Sequence, residues 1–451
     1  MNQSGKISII IAIVVIVLIA CGVVFLREEP EAASGAAAEV QNQFPNSNVV
    51  VILIDTLRAD HLASYGYAKN TAPFLNKLAK KGVVFENPFS TSSTTAPSTA
   101  SIYTSRYPSE HGVIIGQIAM RHLLKEHPQL TLNRIPEELT ILPEVFKNAG
   151  YSTFAVNDNL NISKEMGYAQ GYDKFETYRY KGAEVINNKL KEWKKDITAS
   201  EKYFVYIHYM EPHEPYRKQK PWFKKAGNKL GNTINAYDSE ISYLDSKIEE
   251  MFKLFGWEED TLVVITSDHG EEFNDHGGKG HGKTLYTEVI HVPLIIYHPK
   301  LKSQRVKEYV STLDVLPTLA RLVGLTEDPS WRGLALTPLL KNGLLSERMF
   351  FSQLLRKKEH QRSSKASVIS DNWHYIKTKK LSGEQLDELY DLKDDFHEKS
   401  DKAVELPQMV GDLGERIAEL ESGSLALPQQ EVSIEMDEER LEQLKTLGYM
   451  E

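Results

Sequence analysis

Apolar stretches typical of buried strands alternate along the first three quarters of the chain with segments of helical spacing. A continuous apolar run suits a strand that is buried on both faces of a sheet. The predicted strands are 48–54, 151–156, 203–209, 261–267 and 292–298, and the predicted helices are 74–82, 95–105, 142–150 and 233–256. Strands that alternate with helices predict an α/β domain with a mostly parallel central sheet.

The pattern changes after about Ser346. Short strands at close spacing, typical of a small antiparallel sheet, are predicted at 350–354, 366–370, 373–378 and 388–392. Two helical stretches follow, near 409–420 and 438–447. We therefore predict a catalytic domain over 47–345 and a C-terminal subdomain, a small antiparallel sheet with helices, over 346–451.

The N-terminal segment 7–26 is 20 residues without a charge, which is long enough to span a bilayer as a helix. Lys6 precedes it, and positive charge on that flank predicts a cytoplasmic amino terminus and an exported catalytic domain, on the periplasmic or extracellular face. A cleaved signal is the alternative, with Cys21 as a lipoprotein site. We favour a retained anchor because the apolar run continues past Cys21. The polar segment 27–46 is predicted to be a tether.

Charge and cysteine content narrow the class of function. The net charge of −9 gives no overall basic footprint of the kind that nucleic acid requires. Cys21 is the single cysteine of the chain, so the globular part has no thiol nucleophile. The reactive group must therefore be sought among hydroxyl, imidazole and carboxyl side chains.

Metal-type residues follow several of the predicted strands. Asp55 ends the first strand, Asp268 and His269 end another, and a loop with His213 follows a third. In open α/β sheets, ligands bind beyond the carboxyl ends of the strands. One such aspartate is often only a turn residue, but carboxylate and imidazole after several strands together predict one cleft. A further strand-to-helix turn presents Thr95 to it.

The chain resembles the sulfatase family of the alkaline phosphatase superfamily. The stretches that carry the resemblance, in family order, are VILIDTLRADHLASYGY, STTAPSTASIYTSRYPSEHGV, FVYIHYMEPHEPY, AYDSEISYLDSKI, VVITSDHGEEFNDHGGKGHGKTLYTEVIHVPLIIY, DVLPTLARLVGL, ELYDLKDDFHEKSD and LKTLGYM. The resemblance implies an alkaline phosphatase-like three-layer sandwich and a hydrolase that acts on ester bonds.

The resemblance also implies roles for individual residues. The implied metal ligands are Asp55, Thr56 (where sulfatases often have a second aspartate), Thr95, Asp268 and His269. The residues implied to contact substrate are His213, in the Pro-His-x-Pro element, and His281 and Lys283, which fall near the position of a sulfatase lysine. We predict one divalent cation, Ca, Mg, Mn or Zn. In the alternative with two cations, His213 and His281 bind the second one instead of acting as general acids.

Thr95 stands where sulfatases have the cysteine that is oxidised to formylglycine. Threonine cannot form that aldehyde, but its hydroxyl is a competent nucleophile when a bound cation makes its proton acidic. Related branches of the superfamily use a metal-bound threonine to take up a phosphoryl group. Thr99 replaces an arginine that supports the nucleophile in sulfatases, which weakens the anion site.

These observations predict a membrane-tethered, metal-dependent hydrolase or transferase of phosphoesters, in particular phosphodiesters, with Thr95 as nucleophile. A sulfuric ester hydrolase that acts without formylglycine is one alternative, and a non-catalytic protein that binds anionic glycans is another. The predicted substrate is an anionic ester on a lipid head group or a glycan, because the enzyme is held at the bilayer.

Overall fold

The computed structural model describes residues 43–116, 129–355, 363–423 and 430–435. The predicted membrane span at 7–26 and the predicted helix at 438–447 lie outside these ranges. Within them, no helix is both long and apolar enough to cross a membrane.

Sixteen strands and ten α-helices are formed in the described ranges. The strands are β1 (Asn48–Ile54), β2 (Val83–Phe89), β3 (Gln129–Arg134), β4 (Ser152–Asn157), β5 (Lys174–Thr177), β6 (Tyr203–Tyr209), β7 (Thr261–Ser267), β8 (Glu272–Phe273), β9 (Lys279–Gly280), β10 (Leu294–Tyr297), β11 (Gln304–Ser311), β12 (Phe350–Leu354), β13 (Ser364–Ser370), β14 (Trp373–Lys379), β15 (Gln385–Asp391) and β16 (Gln430–Glu435). The helices are α1 (Pro73–Lys81), α2 (Thr95–Thr104), α3 (Pro108–His111), α4 (Leu142–Asn148), α5 (Ala183–Ala199), α6 (Lys229–Phe255), α7 (Trp257–Asp260), α8 (Thr287–Ile290), α9 (Val315–Leu322) and α10 (Pro407–Gly423). All nine strands and helices predicted within 48–298 are present.

The central sheet has eight strands in the order β11-β2-β10-β7-β1-β6-β4-β5. Every neighbouring pair is parallel except the two that involve β10, which runs antiparallel to β2 and β7. The prediction of a mostly parallel sheet is therefore confirmed. The sequence pattern gave no prediction for β2, β11 or α5.

The sheet is the middle of three layers because its strands are apolar on both faces. In β1, Val49, Val51 and Leu53 join one buried cluster, and Val50, Ile52 and Ile54 join the other. Helices α2, α4 and α9 cover the first face, and α1, α5 and α6 cover the second. Burial of each large aliphatic side chain contributes about 1.5–3 kcal/mol, so the two faces together hold the sheet between its helices.

The three central strands end level with one another, which sets the position of the site. Ile54 of β1 is in register with Tyr209 of β6 and Ser267 of β7. The residues after these strands therefore lie side by side at one edge, here called the carboxyl edge. The chain before β1 enters the domain at the opposite edge, here called the amino edge. There the Phe44 ring is buried against His298, and the Phe44 N–H donates to the Leu322 carbonyl.

The C-terminal sheet is an antiparallel meander of four strands in the order β12-β13-β14-β15, as predicted. Helix α10 packs against it through Leu413 and Ile417. A separate apolar cluster joins this sheet to the main domain, with Phe350 and Ile369 on one side and Leu285 and Val289 on the other. The C-terminal sheet is thus attached next to the segment 271–290, which leads into the candidate site.

Candidate active site and metal centre

The carboxyl edge brings together four of the residues implicated by sequence. Asp55, Asp268 and His269 are fully buried, and Thr95 is 5% exposed. The Thr95 hydroxyl lies 3.3 Å from Nε2 of His269 and also contacts the Asp55 carboxyl. His269 Nε2 lies 3.4 Å from Oδ2 of Asp268. The turn after β1, the turn after β7 and the start of α2 thus meet at one point.

A histidine of β6 completes this group. His208 is buried in the strand interior, and its Nε2 lies 3.4 Å from Oδ2 of Asp55. Ligand atoms of Asp55, His208 and Asp268, here called the metal centre, all lie within 4.8 Å of one another. Two carboxylates and an imidazole at this spacing form a donor set that suits a divalent cation.

The hydrogen bonding of the metal centre is incomplete. Asp55 Oδ1, Asp268 Oδ2 and both ring nitrogens of His208 are buried without a hydrogen-bond partner among the described residues. An orphaned buried polar atom costs about 1–3 kcal/mol, so native proteins seldom retain several in one place without a ligand. The residues present therefore fit the divalent cation that the sequence predicts.

The electrostatics of the two carboxylates, Asp55 and Asp268, also favour a bound cation. Burial raises the pKa of Asp55 well above its ordinary value, and the charge of Asp268 raises it further. Asn159 opposes this by donating from Nδ2 to Asp55 Oδ2 at 2.8 Å. Backbone N–H groups of Thr56 and His269 donate to Asp268 Oδ1 at 3.2 and 2.9 Å. A positive charge between the two carboxylates would remove their mutual repulsion.

The tautomer of His269 follows from its backbone contact. Its Nδ1 lies 2.9 Å from the carbonyl oxygen of Gly270, which can only accept, so Nδ1 carries the proton. Nε2 then presents a lone pair to the Thr95 hydroxyl and to the metal centre. His269 can thus accept the threonine proton or donate its lone pair to a cation.

Helix α2 places Thr95 at its first residue, directly after the extended N-cap Thr94. The amino end of a helix carries partial positive charge, which favours a substrate anion near Thr95. Thr99, one turn further, is fully buried and its hydroxyl has no partner in the described chain. The neutral side chain of Thr99 supplies none of the charge that an arginine would bring to this position.

His213 and His281 lie beside His269 at the mouth of the site. Ring centroids of His269 and His281 are 4.4 Å apart, and those of His281 and His213 are 5.0 Å apart. Burial lowers the pKa of His213 to about 4, and repulsion from His281 adds to the effect. The buried Glu271 accepts from Nδ1 of His281 at 3.0 Å, which fixes that ring.

Thr56 and Lys283 occupy different surroundings. Thr56 is fully buried at φ +55°, a left-handed conformation that a β-branched residue rarely adopts, and its hydroxyl has no described partner. Tyr237 holds this turn by donating to the Thr56 carbonyl at 2.7 Å. Lys283 is exposed and donates from Nζ to the carbonyl of Lys279 at 2.7 Å. A role for Thr56 and Lys283 in the site stays a prediction.

An ion-pair network around the buried Arg58 supports the wall of the site. The guanidinium of Arg58 contacts Asp60 at 2.7 Å and Asp275 at 2.9 Å, and donates to the Glu271 carbonyl at 2.9 Å. These contacts tie the turn after β1 to the loop that carries Glu271.

Comparison with known proteins decides the family. The sequence profile described as Sulfatase matches residues 47–325, and the profile described as N-sulphoglucosamine sulphohydrolase, C-terminal, matches 278–422. The chain belongs to the sulfatase family. It is an ester hydrolase that acts on sulfuric or phosphoric esters. The sulfatase family uses a divalent metal, and the metal centre of this chain could hold one.

Three relatives illustrate the range of this family. The Ulvan-active sulfatase of Formosa agariphila is 24% identical over 359 residues, which are 67% of each chain. The phosphonate monoester hydrolase of Agrobacterium radiobacter has a TM-score of 0.68 at 17% identity, over 84% of this chain and 96% of its own. BT4656, solved with its substrate D-glucosamine-2-N,6-O-disulfate, has a TM-score of 0.68 at 16% identity, over 84% and 98%. The structural likenesses confirm the alkaline phosphatase-like fold.

Sequence reasoning missed three residues of the site, His208, Asn159 and Glu271. His208 has a weak signal: it is a polar residue within an apolar strand, two positions from Tyr206, and so points to the same face. Asn159 and Glu271 lie in loops, where no periodicity indicates the direction of a side chain. Their contacts with Asp55 and His281 become visible only in the structure.

Proposed function

We propose that this sulfatase-family enzyme hydrolyses sulfate esters carried by anionic saccharides, without formylglycine. Family membership and the sulfatase names of the relatives support this substrate class over phosphoesters. A sequence relative is named for its activity on ulvan, and a protein of similar fold was solved with a disulfated glucosamine. The observation that carries a catalytic site is the buried Thr95–His269 pair beside the partly unpartnered metal centre.

Each residue of the site has a role in this proposal. Asp55, His208 and Asp268, with His269 beside them, would hold a divalent cation, which when bound supplies positive charge to the ester oxygens and acidity to an adjacent hydroxyl or water. A water molecule would attack sulfur while the bond between sulfur and the leaving alcohol oxygen breaks. The Thr95 hydroxyl, hydrogen-bonded to the lone pair of His269, would position that water and relay its proton to His269. His281, oriented by Glu271, and His213 lie where a proton can reach the leaving alcohol.

A second candidate function is phosphodiester hydrolysis through a covalent intermediate, and Thr95 is the observation that favours it. The Thr95 oxygen would attack phosphorus while the bond to the leaving alcohol breaks and the alcohol takes a proton from the site. Water then attacks phosphorus and releases Thr95. An alcohol nucleophile suits this sequence because phosphorus can be attacked again, whereas a sulfated threonine lacks the elimination route of formylglycine.

The location of the enzyme belongs to the same proposal. We propose that 7–26 anchors the chain in a membrane, that 27–46 is a tether and that the domains 47–345 and 346–451 are exported. The apolar length of 7–26 and the lysine before it support the anchor. The substrate would then be an ester of the cell envelope or its surroundings, and a saccharide suits that location.

Turnover by the wild type, Thr95→Ala and Thr95→Ser separates the two functions. With Mn²⁺ or Ca²⁺ added, the sulfatase proposal predicts faster hydrolysis of nitrophenyl sulfate than of methyl nitrophenyl phosphate, and a partial loss in Thr95→Ala. The covalent proposal predicts the opposite preference, a loss of about 10³-fold or more in Thr95→Ala, rescue by serine and a phosphorylated Thr95 peptide in mass spectrometry. Turnover of neither ester by a metal-loaded wild type would overturn both.

A further inference from the structure

The loop after the His213 element is strongly basic in an acidic protein. Residues 217–229 contain no aspartate or glutamate, whereas the chain has a net charge of −9. The cationic residues of this basic segment are Arg217, Lys218, Lys220, Lys224, Lys225 and Lys229. Such a local excess of one sign creates a positive potential that attracts anions.

The lysines of the basic segment are exposed and form no ion pair with any described residue. Lysines on the neighbouring helices behave differently: Lys191 pairs with Glu250 at 2.6 Å, and Lys247 pairs with Glu184. The charges of these lysines are therefore not neutralised by ion pairs within the described protein. They remain available to a ligand from outside.

The basic segment is held in a defined position on helix α6. The backbone N–H of Gln219 donates to Ser239 Oγ at 3.0 Å, and Asn235 Nδ2 donates to the Lys224 carbonyl at 2.8 Å. The N–H of Ala226 donates to Asn232 Oδ1 at 3.0 Å. These bonds present the lysines as a fixed surface, which reduces the entropy that binding must overcome.

An aromatic side chain stands among these lysines. Trp222 is 37% exposed and rests edge-on against Tyr243, with ring centroids 6.2 Å apart. An indole in this setting offers a flat apolar face next to cationic groups. That combination suits a saccharide, whose ring C–H groups pack on the indole while its anionic substituents meet the lysines.

The basic segment adjoins the candidate active site. Parallel strand β6 ends at the carboxyl edge, and α6 begins there, so the segment between them lies at the same edge as Thr95. Tyr180 links the two regions: its hydroxyl donates to the His213 carbonyl at 3.0 Å, and the Arg217 guanidinium lies 4.8 Å from its ring centroid. A long ligand in the site can therefore extend onto the lysines.

We infer that the basic segment 217–229 binds the flanking anionic groups of an extended polyanionic saccharide while one of its ester groups occupies the active site. The inference rests on the proposed function. An anionic bilayer fits this surface less well, because the chain enters the domain at the opposite, amino edge, near Phe44, and the predicted span 7–26 lies upstream of that entry.

The test compares two matched triple variants of the full-length chain. The first variant replaces three lysines of the basic segment with glutamine: Lys220, Lys224 and Lys225. The second variant likewise replaces three lysines at the amino edge, on the elements that lead into β2, β6 and β11: Lys80, Lys195 and Lys302. All six lysines are exposed, and none has an ion pair among the described residues. The two variants therefore have equal net charge and differ only in where it is lost.

Binding to dextran sulfate is measured by titration of Trp fluorescence at several salt concentrations, with neutral dextran as control. We expect the basic-segment variant to bind dextran sulfate about tenfold more weakly than the wild type, with a shallower salt dependence, and the amino-edge variant to bind like the wild type. Trp222→Ala should weaken binding as well, and turnover of a small nitrophenyl ester should stay unchanged in all three variants.

Equal affinity of the two triple variants for dextran sulfate would overturn the inference. Binding of the wild type to vesicles rich in anionic lipid, without binding to dextran sulfate, would overturn it in favour of a membrane surface. Because these measurements need no turnover, failure of the proposed ester hydrolysis would be seen separately, in the nitrophenyl assays.

Discussion

Two of the carboxylate–imidazole clusters in the described residues differ in their hydrogen bonding. The first is the metal centre, Asp55, His208 and Asp268. The second, here called the junction cluster, consists of His276, Glu288, His374 and Glu398 and joins the C-terminal sheet to the segment before α8. Both are rich in titratable groups, so residue type alone does not distinguish them.

In the junction cluster the polar atoms find partners within the protein. Glu398 accepts from His374 through one oxygen and from the Thr287 N–H at 2.6 Å through the other. His276 contacts Glu288 at 2.8 Å and the Glu398 carbonyl at 2.9 Å, and one atom, His374 Nε2, has no described partner. The metal centre instead has four such atoms. The comparison teaches that missing partners, rather than charge, indicate a ligand site.

The largest expected effect comes from a change in the metal centre. Asp268→Asn keeps the shape of the side chain and one acceptor oxygen, but it removes the negative charge of this metal ligand. We expect loss of bound metal and a fall in turnover of about 10³-fold, since a catalytic cation contributes several kcal/mol. In excess chelator, its melting temperature should stay close to that of the wild type, because the amide oxygen still accepts from the Thr56 and His269 N–H groups.

Elemental analysis and thermal unfolding check this prediction together. Retention of metal and activity by Asp268→Asn would contradict the assignment of the centre. A melting temperature that falls sharply in chelator would show instead that Asp268 holds the fold, as we expect of the junction cluster.

A change in the junction cluster should lower stability and leave metal binding and turnover intact. Glu398→Ala leaves His374 and the Thr287 N–H buried without their acceptor, so we expect the free energy of unfolding to fall by about 3 kcal/mol. Metal content and turnover per folded molecule should change little. Glu398→Gln keeps an acceptor and should lose less. Urea unfolding measures both variants, and a loss of metal with unchanged stability would reverse the interpretation.

The sequence predicted the layered fold well because hydrophobic periodicity is a local property. Strands β1, β6 and β7 begin and end at the predicted residues. β11 was missed because exposed polar residues interrupt it at a sheet edge, where Gln304 to Ser311 alternate only partly. The pairing of β3 with β16 was missed as well, because nearly 300 residues separate the two strands.

For the site, sequence reasoning identified the residues that follow strands and missed those that support them. The carboxyl ends of parallel strands lie at one edge of the sheet, so Asp55 and Asp268 could be expected to line one cleft. His208 lies inside β6, and its approach to Asp55 depends on strand order and register. The direction of Glu271 toward His281 depends on the loop conformation, which the buried Arg58 contacts help to set.

Glu240 is a buried carboxylate outside the metal centre that also lacks hydrogen-bond partners among the described residues. It is fully buried on α6, and neither of its carboxylate oxygens has a hydrogen-bond partner in the described residues. Burial, followed by repulsion from Glu211, raises its pKa from 4.5 to about 9. We infer that Glu240 is protonated, and therefore uncharged, near neutral pH. An uncharged carboxyl group can be buried without a bound cation.

The expected result is a stability that depends on pH. The folded state keeps the Glu240 proton up to about pH 9, whereas the unfolded chain loses it above about 4.5, so this group makes the free energy of unfolding fall as pH rises between those values. Glu240→Gln has no such proton. Its stability relative to the wild type should therefore increase from pH 5.5 to 8.5, by an amount on the order of a few kcal/mol. Urea unfolding in chelator at the two pH values measures this difference. Parallel behaviour of the two proteins would mean that Glu240 is ionised when folded and that an external cation must be sought there too.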